Sequence, residues 1–248
     1  MSGHSKWHNI RIKKQKMDKV RGKLFSKLAR EIMVAAKDGG GNPDVNPRLR
    51  SAIDRAKEGG LPNDSIQRAI QRGTGDVEGA SYESITYEAY APGGVAVLVE
   101  VLTDNRNRTA GEIRNLLSKH GGALGESGSV AWMFDRQGLI TVEKDKVSED
   151  ALFEIALDSG ADDVRSVDDA FEVVTSAEQF FKVKRALDAA GIPMTTAEIT
   201  MVPKTTVRLE GKPAQQVLRL IEALEDHDDV QQAYANFDVP DEVLQEVG

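Results

Sequence analysis

Five cationic side chains, Lys6, Arg11, Lys13, Lys14 and Lys16, fall within the first sixteen residues, MSGHSKWHNIRIKKQK, where no acid accompanies them. Lys19, Arg21 and Lys23 continue the series. Such a run can neutralise several phosphates and release their counterions, and Trp7 in its midst can stack on a base. No base-specific readout follows from it. The arm has little hydrophobic periodicity, so it is expected to order only on a partner. A second cationic group lies in Asp104-Asn-Arg-Asn-Arg-Thr109, where a strand is expected to pass into a helix. Thr109 or Asn107 would cap that helix, and Arg106 and Arg108 would project from the loop beside its N-terminus, a natural anion site.

Other candidate chemistry falls away on spacing. Gly121-Gly122-Ala-Leu-Gly125-Glu-Ser-Gly128 has the glycine content of a phosphate loop. It follows a helix and opens a strand, however, whereas dinucleotide and P-loop glycines do the reverse, so it reads as a helix C-cap and connection. His4 and His8 stand at i, i+4 spacing, but the surrounding lysines oppose a dication there. His120 sits at an expected helix end, where an imidazolium suits the C-terminal dipole. His227 lies in Glu225-Asp-His-Asp-Asp229, which reads as a solvated acidic turn between helix and strand. The chain has no cysteine, hence no disulfide frame, thiol nucleophile or thiolate metal site. No Ser/His/acid set can be assembled from spacing. The expectation from the residues is a binding protein without a metal, in which acid-base catalysis finds no support but stays open.

The net charge of −8 conceals a division along the chain. Residues 1–75 carry 17 Lys and Arg against 7 Asp and Glu, net +10, and the remainder 15 against 33, net −18. A cationic segment on an anionic body suits a polyanion that one end engages and the rest avoids. With only 5 % aromatic residues, stacking-rich reading of single strands is not indicated. The N-terminus lacks an apolar signal core, and the best apolar run, 95–99, is far too short to span a bilayer. A monomeric cytoplasmic protein is expected.

These groups need elements to position them. Val20, Leu24, Leu28, Ile32 and Ala36, widened by Phe25 and Met33, predict an amphipathic helix from Met17, ended by Gly39-Gly40-Gly41. Asn46-Pro47 supplies an N-cap and N1 proline to a second helix with Leu49, Ile53 and Ala56, stopped at Gly59-Gly60. Asp64 would cap a third, with Ile66, Ala69 and Ile70, ended by Gly73. The last two resemble a helix-turn-helix superficially. The period then becomes strand-like: a hairpin over 82–90 and 95–102, a helix over 109–119 and a strand over 130–134. Strand 139–143, helix 148–158, strands around Val164 and Val173, helix 177–190 and strand 197–202 make a βαββαβ, or ferredoxin-like, set. Strand 205–209, helix 214–224 and strand 230–237 remain, too little for a sheet alone, and are expected to complete the sheet begun at Tyr82. The expected class is α+β in three domains: a basic helical domain with its arm (1–79), a discontinuous domain (80–136 plus 203–248) and a βαββαβ domain inserted in it (137–202).

The opening MSGHSKWHNI, the helix RGKLFSKLAREI, the segment YEAYAPGGVAVLVEVLTDNRNRTAGEIR and the Gly-rich GGALGESGSVAWMF resemble the YebC family over essentially the whole chain. Members are known as transcriptional regulators, and their mitochondrial relatives activate translation of cytochrome c oxidase subunit I. The resemblance implies a three-domain α/β fold, cytoplasmic in bacteria, without catalytic residues or cofactor, and it includes Arg106 and Arg108. A DNA-binding transcriptional regulator is the first expectation. A translation factor on ribosomal and transfer RNA is the alternative, and an adaptor whose basic arm binds an acidic protein is the rival of another class.

Overall fold

A computed structural model describes residues 18–79, 81–167 and 169–240, with side chains from Gly22 onward. The arm residues Lys6, Trp7, Arg11, Lys13, Lys14 and Lys16 lie outside the described residues, as do the side chains of Lys19 and Arg21. The fold is α+β, with seven α-helices and ten strands among the described residues. Two compact units divide it: residues 132–206, and the residues on either side of that segment.

In the second unit, α1 (Asp18–Gly39), α2 (Pro47–Glu58) and α3 (Asn63–Thr74) bury one aliphatic core. Leu28, Ile32 and Ala36 of α1 meet Leu49, Ala52, Ile53 and Ala56 of α2 and Ile66 and Ala69 of α3. Asn46 caps α2 by accepting from the Leu49 N–H at 3.0 Å, and its amide also donates to Ala35 O and Gly40 O, tying the start of α2 to the end of α1. Helix α3 departs from the sequence expectation at both ends. Pro62, not Asp64, holds the N-cap position, and the helix runs through Gly73 to a left-handed Gly75 at φ 85°. Gly73 is there for close approach: a Cβ on it would stand 2.4 Å from Met33 O and 2.8 Å from Ala36 Cβ. Gly73→Ala should therefore wedge α3 off α1 and lower stability by about 1–3 kcal/mol despite the better helix propensity of alanine. Equilibrium urea unfolding checks this, and a stabilised variant would refute the packing account.

The same unit continues with β1 (Glu83–Ala91), β2 (Val95–Thr103), α4 (Arg106–Lys119) and β3 (Ala123–Leu124). After the intervening unit come β8 (Val207–Arg208), α7 (Gly211–Glu225), β9 (Val230–Ala235) and β10 (Phe237–Asp238). The sheet has order β3-β1-β2-β9, with β9 antiparallel to β2, so the C-terminal segment does complete the sheet begun at β1. Its first strand does not join: β8 pairs in parallel with β10 instead. Asn236 makes the turn possible, because its Oδ1 accepts from Ala96 N–H while its carbonyl accepts from Val207 N–H. Helices α4 and α7 cover one face through Ile113, Leu117, Leu218 and Ile221 against Val97, Val99 and Val101.

Residues 132–206 form β4 (Phe134–Glu143), α5 (Glu149–Ser159), β5 (Asp163–Val167), β6 (Ala170–Ser176), α6 (Phe180–Ala189) and β7 (Thr196–Pro203). Sheet order β5-β6-β4-β7, antiparallel throughout, is the ferredoxin-like arrangement. The expected strand at 130–134 is instead a 3₁₀ turn, Ala131–Met133, leading into a ten-residue β4. Helix α6 begins later than expected, because Ser176 Oγ accepts from the Gln179 N–H and holds 177–179 as a turn.

Candidate nucleic-acid interface

Of the cationic series at the chain start, Lys23 is the member whose side chain is described, and though exposed it is bonded to its own unit. Lys23, Lys27 and Arg30 recur at i, i+4, i+7 on α1, the spacing of one helix face. Lys23 Nζ donates to Asp226 O at 3.0 Å, Lys27 Nζ to Glu225 O at 2.6 Å, and Arg30 to Asp228 O. The first two carbonyls belong to the C-terminal end of α7, where unpaired C=O groups carry the negative end of the helix dipole, and the third to the turn that follows it. The basic stripe of α1 thus caps α7 and joins the helical domain to the sheet domain.

Asp229, 3 % exposed, is the centre of this junction. Its Oδ2 accepts from Arg108 Nη2 at 2.7 Å and from Thr109 Oγ1 at 2.7 Å, while Oδ1 accepts from Arg30 Nη1 at 3.1 Å. Burial pushes its carboxyl up, but the hydrogen bonds from Thr109 and Arg108 and the charges of Arg108 and Arg30 outweigh it and hold it below the usual carboxylate range. Arg108 is correspondingly raised, chiefly by Asp229 and then by Asp104, 3.0 Å away. Arg108 and Arg106 lie in the first turn of α4 rather than in a loop, and the cap is Asn105, whose side chain accepts from Arg108 N–H at 3.1 Å; Thr109 is buried inside the helix instead. Arg106 is exposed and makes no ion pair among the described residues. Arg114, two turns on, shares its face of α4, and both guanidinium charges act on the partly buried Tyr87, whose hydroxyl burial raises.

The Glu225–Asp229 turn is therefore not the solvated acidic turn that its composition suggests. Glu225 and Asp229 are both 3 % exposed, and cations from α1 and α4 surround Asp229. His227 Nδ1 accepts from the Asp229 N–H at 3.1 Å, so Nε2 is the nitrogen that donates to Glu112 at 2.9 Å. Glu112, His227 and Asp229 converge closely enough to suggest a metal, yet their facing atoms are already in hydrogen bonds, and a dication would have to displace two guanidinium groups. The trio lines a cleft of about 580 Å³ with Lys23, Arg30 and Arg108, so two sequence-designated cations, Lys23 and Arg108, meet in one place.

The Gly-rich segment is held from inside. Gly121, at φ 77°, ends α4 and β3 pairs with β1, after which the backbone N–H groups of Gly128, Val130 and Ala131 converge on the Glu88 carboxylate at 2.5, 2.6 and 2.8 Å. The segment has the amide convergence of an anion nest, and the protein's own carboxylate fills it.

Residues 5–76 match the family of the TACO1/YebC protein N-terminal domain, and residues 82–237 that of the TACO1/YebC second and third domain. The chain belongs to the TACO1/YebC family. Among similar proteins of that family, one from Syntrophobacter fumaroxidans, named "Probable transcriptional regulatory protein", is 59 % identical over 248 residues, covering all of both chains. Another so named, from Dictyoglomus turgidum, is 56 % identical over 246 residues, 99 % of each. The crystal structure of a conserved hypothetical protein from Aquifex aeolicus superposes with a TM-score of 0.79 at 49 % identity, covering 89 % of this chain and 91 % of that one. In this TACO1/YebC chain, reading the sequence missed Asp229 and Glu88 as organising residues. Nothing in their local sequence distinguishes them from the other acids; only the cations or amides that converge on them from more than thirty residues away do so. No helix among the described residues is long and apolar enough to cross a membrane.

Proposed function

We propose that this TACO1/YebC chain regulates gene expression by binding nucleic acid in the cytoplasm, as a monomer that binds rather than catalyses, with duplex DNA as its target. The observation that carries the reading is the charge division, net +10 over residues 1–75 against net −18 beyond. The printed names of the relatives, transcriptional regulatory proteins, point the same way. In this reading residues 1–79 form the phosphate-binding domain, residues 80–136 with 203–248 a discontinuous domain that fixes its pose, and residues 137–202 an inserted domain that recruits a partner. Lys6, Arg11, Lys13, Lys14 and Lys16 contact phosphates and Trp7 stacks on a base. Lys19 and Arg21 extend that contact, and Arg106 adds one from the second domain. Lys23 and Arg108 act by position: Lys23 holds the helical domain on the sheet domain through Asp226 O, and Arg108 holds Asp229 where Arg30 of the helical domain reaches it.

Deleting residues 1–16 removes five cations, so the slope of log affinity against log salt on duplex DNA should flatten by up to about 4–5 units. Titrations from low to high salt measure it, with ribosomal RNA and purified ribosomes as parallel arms. An unchanged slope on every target would remove the arm from the interface. A slope change on ribosomes alone would make the protein a translation factor.

A further inference from the structure

Helix α3 presents an outward face, Gln67, Arg68, Gln71 and Arg72, in which a Gln-Arg pair is repeated one helical turn apart and all four side chains are exposed. The described arginines elsewhere in the helical domain are spoken for: Arg30 pairs with Asp229, Arg48 with Asp38, Arg50 with Asp44 and Arg55 with Glu31. Arg68 and Arg72 make no ion pair among the described residues, although Asp64 stands one turn before Arg68. The opposite side of α3 is fixed rigidly, with Ile66 and Ala69 in the core and Gly73 against the α1 backbone.

We infer that α3 is a recognition helix that enters the major groove of duplex DNA through Gln67, Arg68, Gln71 and Arg72, an inference that rests on the nucleic-acid reading above and names the element that reads sequence. Glutamine and arginine are the side chains that bond bidentately to adenine and guanine edges, and the B-form major groove admits a helix. The deep, narrow major groove of A-form RNA does not, so the commitment is to DNA. Four residues of helix advance about 6 Å, close to two base-pair steps of about 3.4 Å each, which lets successive Gln-Arg pairs address base pairs two steps apart. A turn of four residues, 59–62, separates α2 from α3, the spacing of a helix-turn-helix whose second helix docks. The positive charge of the face complements phosphate on either side of the groove.

The test uses the full chain and a duplex selected from a random library by the wild-type protein, with a scrambled duplex and a structured RNA hairpin as further targets. Arg68→Ala with Arg72→Ala should reduce preference for the selected over the scrambled duplex by at least about 10-fold, since guanine contacts are lost, and flatten the salt slope on both duplexes by up to about two units. Gln67→Ala with Gln71→Ala should leave the slope unchanged and reduce preference for the selected over the scrambled duplex about 10- to 100-fold. Both variants should melt as the wild type does, since alanine favours the helix and the positions are exposed. If both variants bind and discriminate like the wild type while deletion of residues 1–16 still flattens the slope, α3 is not the reading helix and the nucleic-acid reading stands. Loss confined to the RNA hairpin overturns the DNA commitment alone. A wild-type protein that binds no nucleic acid at low salt overturns both.

Discussion

Asp229→Ala is expected to destabilise the protein by about 2–3 kcal/mol, because one carboxylate receives Arg30 from the helical domain and Arg108 and Thr109 from α4. The estimate lies below that for a fully buried pair, since Arg30 and Arg108 retain 18 % and 43 % side-chain exposure and can turn to water. In a chain of this size the melting temperature should fall by about 5–10 °C. Amide exchange should rise in α1, which loses its strongest tie to the sheet domain. Asp229→Asn, which keeps the shape and an acceptor for Thr109 but not the charge, should fall between. The folded-state carboxyl lies below its unfolded value of about 4. Its contribution is therefore complete above about pH 4 and lost as pH falls through the folded value. The difference between wild type and Asp229→Ala should shrink in acid and stay constant from neutral pH upward. A difference that grew in acid would contradict the electrostatic account.

Glu88→Ala should cost about 2–4 kcal/mol by a different route. The wild-type carboxylate accepts three backbone N–H groups, and removing it leaves donors at Gly128, Val130 and Ala131 without their partner. Val130 is fully buried, so its amide gains little from water unless the whole segment moves. Burial pushes the Glu88 carboxyl up, but the three amides outweigh it and hold it low, so this contribution too is present above about pH 4 and fades in acid. Hydrogen exchange at the three amides is the specific readout: they should be protected in the wild type and exchange much faster in Glu88→Ala. Glu88→Gln should retain part of the protection, because a carboxamide oxygen still accepts. Unchanged exchange in Glu88→Ala would show that the segment is held by something else.

Reading the nucleic-acid interface from sequence is limited by the difference between carrying a charge and presenting it. The cationic run through Lys23 is contiguous in sequence, yet on α1 the helical period turns Lys23, Lys27 and Arg30 together onto the carbonyls at the end of α7 and in the turn after it. Arg106 and Arg108 are two residues apart, and about half a turn of helix separates their fates: Arg106 faces outward, and Arg108 reaches Asp229.

Local physics was legible because local rules act over a few residues. The Asn46-Pro47 start of α2, the hairpin around Pro92-Gly-Gly94 and the ferredoxin-like order of β4 to β7 all follow from caps, turns and period, which depend on near neighbours. The α3 boundaries were not, because Gly73 reads as a stop by propensity and becomes a helix residue only when Met33 and Ala36 pack against it. The same holds for Glu88 and Asp229. Composition places them among many acids on an acidic body, and a carboxylate becomes structural only when distant segments bring donors within 3 Å of it. Sequence by itself determined most of the elements, their order and the division of charge. Tertiary structure alone decided which charges are spent on holding domains together and which stay exposed for a partner, since that depends on contacts between residues up to about two hundred positions apart.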